Sequence, residues 1–335
     1  SGRRGVMMNG TDLFTSENPM RVLVLRGGPS TEREISLVTG AAIAAGLARA
    51  GHTVIESDIL PEDTSALDRD DFDVVFIAMH GAFGESGEVQ ALCEGRGLQY
   101  TGSGPLASRL AMDKAKSKEC FRQAKLATPD WFLAEASHDD AALAEGIGAL
   151  GLPVVVKPVD GGSSVDVTIA ADLATALTAA ADVVARYGVA LAETFVAGRE
   201  LTVGVLGDEA FDVLEIVPGG AFYDAFSKYD DAATTTYTFE HGLDGALCET
   251  IRAAALRTHE AMGCRDMSRS DFLLDADGVG QLLEINTIPG FTPHSLLPMS
   301  ALHRGIGFDE LVDRLVMMAA SRPVLDRMMH NGDKA

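Results

Sequence analysis

Asp271, Glu284, Asn286 and Arg269 stand in a segment that reads as two strands around a turn. Residues 268–274 and 281–286 flank Asp275-Ala-Asp-Gly-Val-Gly280, and Asp277-Gly278 is a favoured two-residue hairpin turn. Counting outward from that turn pairs Asp271 with Glu284 and Arg269 with Asn286. Period-two alternation then puts these four on one face, with Phe272 and Leu283 on the other. Two carboxylates directly opposed across a sheet repel. A divalent cation would turn that repulsion into coordination, because Mg²⁺ takes hard oxygen ligands and bridges carboxylates to phosphates. Arg269 beside it would suit an anionic oxygen. Taken alone, the segment also fits a solvated hairpin face with scattered charge.

Other segments could bind phosphate or a small substrate. In 154–165, Lys157 ends a buried strand and a Gly/Ser loop with Ser163 and Ser164 follows, whose N–H groups and hydroxyls could wrap phosphate oxygens. Neither GxxxxGK[ST] nor GxGxxG occurs, so no P-loop or dinucleotide fingerprint is present. Gly27-Gly28-Pro29-Ser30 joins a strand to a helix start, where Glu32 could hold an ammonium group. Thr31 and Glu34 have capping-box spacing. Tyr223, Lys228 and Tyr229 lie in a long loop, 219–236, suited to a lid that excludes water. Lys114 opens a helix, and His80 ends a strand, where ligand sites of α/β sheets gather. Each has an ordinary alternative: a surface loop, a plain cap, a solvated lysine or a hydrogen-bonded structural histidine.

The elements that must position these groups alternate. Strand 21–26, helix to Ala50 with Gly51 as its stop, and strands 53–57 and 74–78 indicate a parallel sheet. Helices are expected near 113–124, 139–150, 172–187, 246–262 and 308–320, and strands near 154–157, 190–193, 201–206 and 211–217. The chain has 335 residues, 47% of them apolar, which supports two or three modules with real cores. No apolar run approaches the roughly 18 residues of a membrane helix. A net charge of −22 repels phosphate backbones and argues against nucleic-acid binding. Cys93, Cys120, Cys248 and Cys264 form no CxxC pair and are expected to be reduced, mostly buried thiols of a reducing compartment. Residues 1–19 are polar and read as a disordered extension, with Met20 a candidate natural start.

In order along residues 20–320, RGGPSTEREIS, FIAMHGAFGESGEVQ, YTGSGPLASRLAMDK, VVVKPVDGGSSV, AGRELTVGVLGD, FYDAFSKY, RSDFLLDADG and LLEINTIPGFTPHSLLP resemble the D-alanine–D-alanine ligase family. The resemblance implies an ATP-grasp fold, α/β with α+β parts. These are an N-terminal Rossmann-like domain at 20–102, a central subdomain at 103–197, a C-terminal subdomain at 198–320 and a tail at 321–335. It implies a cytoplasmic, homodimeric enzyme of peptidoglycan precursor synthesis that uses ATP and Mg²⁺ or Mn²⁺ as two ions. The first D-alanine is phosphorylated to an acyl phosphate, which the amine of the second attacks. By the same resemblance Glu32 would bind the first ammonium, with Ser163 and Tyr229 hydrogen-bonded to it. Lys114, Lys157, Ser164 and Lys228 would contact phosphates, Glu200 the ribose and Glu193 the adenine. Asp271, Glu284 and Asn286 would hold metal, and Arg269 would stabilise the oxyanion. Ser295 with Leu296 would receive the second substrate, which His80 and Tyr223 flank. Tyr229, where relatives that use lactate carry histidine, favours peptide over ester formation.

This sequence departs from the family pattern at Gly161-Gly162, Asp166, Thr194 and Asp266-Met267-Ser268. Those changes bear on loop stiffness and nucleotide affinity. Alternatives to the dipeptide ligase are a ligase with another second amino or hydroxy acid, and a non-catalytic ATP-binding module.

Overall fold

The computed structural model describes residues 14–160, 166–218 and 235–323. Three sheets are present among them. The first is parallel, in the order β2 (Thr53–Asp58), β1 (Arg21–Arg26), β3 (Val74–Ile77). β1 and β3 are short and apolar because both their faces are covered, whereas the edge strand β2 is more polar and partly exposed. Val22 and Val24 meet Ile43 and Leu47 of α1 (Arg33–Arg49) together with Leu311 and Leu315 of α9 (Phe308–Ser321). Leu23 and Leu25 face the opposite core with Val89 and Cys93 of α2 (Glu88–Gly95). The last described helix thus completes the core of the first sheet. His52 Nε2 reinforces this at 3.0 Å from Asp313. At the other end, Ser16 N–H donates to Ala50 O at 2.8 Å, so residues 14–19 pass the C-terminal end of α1.

The second sheet is antiparallel, ordered β4 (Trp131–Glu135), β7 (Val189–Thr194), β5 (Val154–Pro158), β6 (Thr168–Ala170). It is backed by α5 (Asp140–Gly148) and α6 (Leu173–Tyr187), whose Ala176, Ala180 and Val183 make an apolar stripe at helical spacing. The third is also antiparallel and runs β11 (Thr236–Thr238), β10 (Leu214–Val217), β8 (Arg199–Leu206), β12 (Met267–Leu274), β13 (Gly280–Asn286), with β9 (Glu209–Ala210) against β8. Its core takes Ile251 and Ala255 of α7 (Gly245–Ala261), and Phe121 of α4 (Lys114–Gln123), which follows α3 (Pro105–Met112). The short α8 (Leu296–His303) lies before α9.

Two local expectations are corrected. The Thr31/Glu34 capping box does not form: α1 begins at Arg33, and its N-cap Glu32 makes no side-chain cap bond. Ser30 Oγ instead accepts from Glu32 N at 3.1 Å, an earlier turn that leaves the Glu32 carboxylate to point elsewhere. The four cysteines are free, but only Cys93 is buried and the other three are half-buried.

Inside the third unit, His259 Nδ1 lies 2.7 Å from Ser268 Oγ and the ring is buried. Burial alone pulls its pKa from 6.5 down to about 4. The unfolded chain therefore takes up this proton first as pH falls. Stability is expected to be full above pH 6.5 and to drop by roughly 3 kcal/mol towards pH 4 from this residue. Urea unfolding of His259→Gln across that range should show a flatter profile; an unchanged slope would contradict it.

Candidate active site

The expected partners across the β12–β13 hairpin are present: Asp271 faces Glu284 and Arg269 faces Asn286. The route to that register differs. The turn spans 275–278, with Gly278 N–H donating to Asp275 O at 3.1 Å and Gly278 at φ +78°. Leu274 consequently pairs with Gly280, and Phe272 with Leu282 rather than Leu283. A bulge at Leu283 then restores the pairing of Asp271 with Glu284. Leu282 is fully buried, whereas Leu283 is only half-buried.

Alternation on β8 and β12 brings Glu200 and Thr202 to the face that carries Arg269 and Asp271. Arg269 grips Asp271 with two bonds, Nε to Oδ1 at 2.9 Å and a terminal nitrogen to Oδ2 at 2.7 Å. Thr202 Oγ1 donates to Oδ1 at 2.6 Å, and Asn286 Nδ2 donates to Oδ2 at 3.1 Å. Burial opposes the guanidinium charge, but Asp271, then Glu284 and Glu85, keep its pKa above the ordinary arginine value. Glu284 receives Lys114 Nζ at 3.3 Å. Burial would raise its pKa, yet Lys114, Lys157 and Arg269 hold it below the usual range. The donor set of two opposed carboxylates and an amide suits a hard divalent cation, with Lys114 and Arg269 beside it for anionic oxygens. Among the described residues no cluster of three His, Cys, Asp or Glu side chains occurs, so any cation here takes further ligands from its anion or water.

A second group lies on one face of the β5–β7 pair, where Lys157 is opposite Leu191 and Glu193 opposite Val155. Glu193, only 4% exposed, receives Lys157 Nζ at 2.5 Å and Lys118 Nζ at 3.1 Å. Burial pushes the Glu193 pKa up, but the two lysines outweigh it and keep it low. Lys118 is fully buried; burial draws it down to about 8, against the upward pull of Glu193. Lys118 and Thr202 were not foreseen as site residues.

A third group sits at the ends of β1 and β3. Gly27 and Gly28 take φ +83° and +82°, and Gly28 N–H donates to Asp58 Oδ1 at 2.9 Å. The Glu32 carboxylate packs over Gly81, where an added Cβ would lie 2.8 Å from Oε2. His80 is buried, its Nε2 3.0 Å from Thr39 Oγ1 and its Nδ1 3.3 Å from Glu85 Oε1. Glu85 also accepts from Gly81 N at 2.9 Å. It thus orients the histidine and faces Arg269, a role with no local sequence signal.

The link after β13 joins these groups, because Ile288 and Phe291 insert into the two cores of the first sheet. It leads to Ser295 at the start of α8, whose hydroxyl does not cap its own helix but pairs with Thr292, Oγ to N at 3.0 Å. Leu296 begins that helix. A Cβ at Gly204 would fall 2.4 Å from Leu297 Cδ1, so α8 packs tightly against β8 beside Arg269. Ser163, Ser164, Tyr223, Lys228 and Tyr229 lie outside the described residues.

Two of the positions that depart from the family pattern take the left-handed backbone, Asp166 at φ +58° and Asp266 at φ +60°. Aspartate tolerates that region better than most residues. Each is tied down: Asp166 by the Tyr187 hydroxyl and Arg186 at 2.7 Å, Asp266 by Gly102 N–H at 2.7 Å and by Arg322.

The fold is that of the ATP-grasp ligases. Residues 121–317 match the family described as D-ala D-ala ligase C-terminus. The D-alanine–D-alanine ligase of Anaeromyxobacter sp. (strain K) is 41% identical over 302 residues, spanning 90% of this chain and 97% of that protein. That of Chromohalobacter salexigens is 42% identical over 297 residues, 88% of this chain and 93% of the relative. The crystal structure of the Bacillus anthracis D-alanine–D-alanine ligase complexed with ATP superposes with TM-score 0.77 at 30% identity, covering 90% of this chain and 97% of that one. The chain belongs to the D-alanine–D-alanine ligase family.

Proposed function

We infer that this protein joins two D-alanines at the expense of ATP, releasing ADP and phosphate through an acyl phosphate. The observation that carries the reading is the opposition of Asp271 and Glu284 across the hairpin, with Arg269 held beside them. Mg²⁺ bound by Asp271, Glu284 and Asn286 would neutralise the phosphate charge. The remaining work falls to the chain. Glu32 takes the ammonium of the first D-alanine, and its neighbour His80, fixed by Thr39 and Glu85, walls that pocket. Lys114, Lys157 and Lys228 place the phosphates, with Ser164 on the same oxygens. Glu193 and Glu200 receive adenine and ribose. Ser295, at the head of α8, takes the carboxylate of the second D-alanine, and Leu296 and Tyr223 bound its side chain. Arg269, preorganised by two bonds to Asp271, meets the oxyanion as the amine attacks. Ser163 and Tyr229 hold the lid shut over Glu32. Phosphoryl transfer asks for positioning and charge neutralisation, and this set supplies both.

We place the enzyme in the cytoplasm, acting on peptidoglycan precursors as a homodimer; no helix among the described residues is long and apolar enough to cross a membrane. The test is phosphate release from Mg-ATP with D-alanine, and mass spectrometry of the product. D-alanyl-D-alanine formed in step with phosphate is expected. Release that ignores D-alanine, or a mixed product with another amino or hydroxy acid only, would reject the reading.

A further inference from the structure

Glu193 carries two lysines, and they are held differently. Lys118 Nζ donates to Thr128 Oγ1 at 2.8 Å and to Pro129 O at 3.1 Å, and lies 3.1 Å from Glu193 Oε2 as an ion pair. Thr128 Oγ1 in turn donates to Leu282 O at 2.7 Å, so the anchor is fastened to β13. Lys157 stands on the other oxygen of Glu193 but also bears electrostatically on Glu284, placing it between the two acidic groups. A lysine that turns to phosphate oxygens leaves Glu193 one counter-charge short. A buried carboxylate without a counter-charge is costly. No donor is well aligned on Glu193 Oε2, although that atom is buried, so a lone pair remains for an incoming N–H.

We propose that Lys118 is a positioning residue of the nucleotide site: it is the fixed counter-charge that keeps Glu193 ionised and aimed at the adenine amino group when Lys157 moves to the phosphates. This rests on the assignment of Glu193 and Lys157 to the nucleotide made above. Lys118 itself touches no reacting atom. Its place is set by helical spacing, because it shares the buried face of α4 with Ala115 and Phe121.

The test uses calorimetric affinities of the full chain for ADP and inosine diphosphate, which lacks the amino group. Glu193→Gln is expected to cut the preference for ADP by about tenfold, the scale of one directed hydrogen bond. Lys118→Met should cut it similarly, and the double variant should be no worse than Glu193→Gln. If Lys118→Met weakens both nucleotides equally, the residue is structural and the proposal is overturned. If Glu193→Gln itself keeps the preference, the adenine assignment is wrong and the proposal falls with it. Should Lys118→Met fail to fold, adding it to Glu193→Gln decides: a further loss of preference contradicts the proposal.

Discussion

Arg269→Ala is expected to lower kcat by about 10²–10³, the scale of removing one oxyanion donor, while ADP affinity changes far less. The asymmetry follows from how the side chain is held. Its two bonds to Asp271 exist before any ligand arrives, so no reorganisation accompanies charge development. The guanidinium is only 18% exposed, which strengthens its field on a developing negative charge. Arg269→Lys should recover little, because a single ammonium cannot keep both bonds to Asp271 and still reach an oxyanion. Steady-state rates and calorimetric ADP affinities separate the two effects. Equal losses in rate and affinity would show that Arg269 serves ground-state nucleotide binding.

Asp271→Ala should damage both stability and activity, and the two losses should be separable. Removing the carboxylate leaves Arg269 partly buried without its bidentate partner and Thr202 Oγ1 without its acceptor. A destabilisation of about 2 kcal/mol is expected, below the figure of about 3–5 for fully buried pairs, because both side chains keep some water contact. Turnover should fall at least about a hundredfold, since the acid also stands in the cation's donor set. Arg269→Leu/Asp271→Leu removes both charges and should regain most of the stability in urea unfolding. It should regain no turnover. A double variant as unstable as Asp271→Ala would mean that the pair is not the source of the loss.

Much of the site was legible where chemistry and local pattern coincide. Counting outward from Asp277-Gly278 placed Asp271 against Glu284, and the structure has that pairing. The reason was only half readable: a longer turn at Gly278 and a bulge at Leu283 each shift the register by one, and the shifts cancel. Bulges arise from packing on both faces, which a strand pattern does not encode. Lys118 was missed because a lysine in Lys-Ala-Lys-Ser-Lys-Glu resembles a solvated helix face. The usable signal was its spacing from Ala115 and Phe121, which puts a charge on an apolar stripe. Glu85, and the use of α9 to close the first sheet, depend on contacts between distant segments. The short helices α2, α3 and α8 each span eight residues, too few for periodicity to declare them.

The most direct test is a crystal of the protein grown with ADP and Mn²⁺, read by anomalous scattering at the manganese edge. A peak bonded to oxygens of Asp271, Glu284 and Asn286 and to the nucleotide's phosphate is the expected result. Manganese bound elsewhere, with Asp271 and Glu284 not coordinating it, would contradict it.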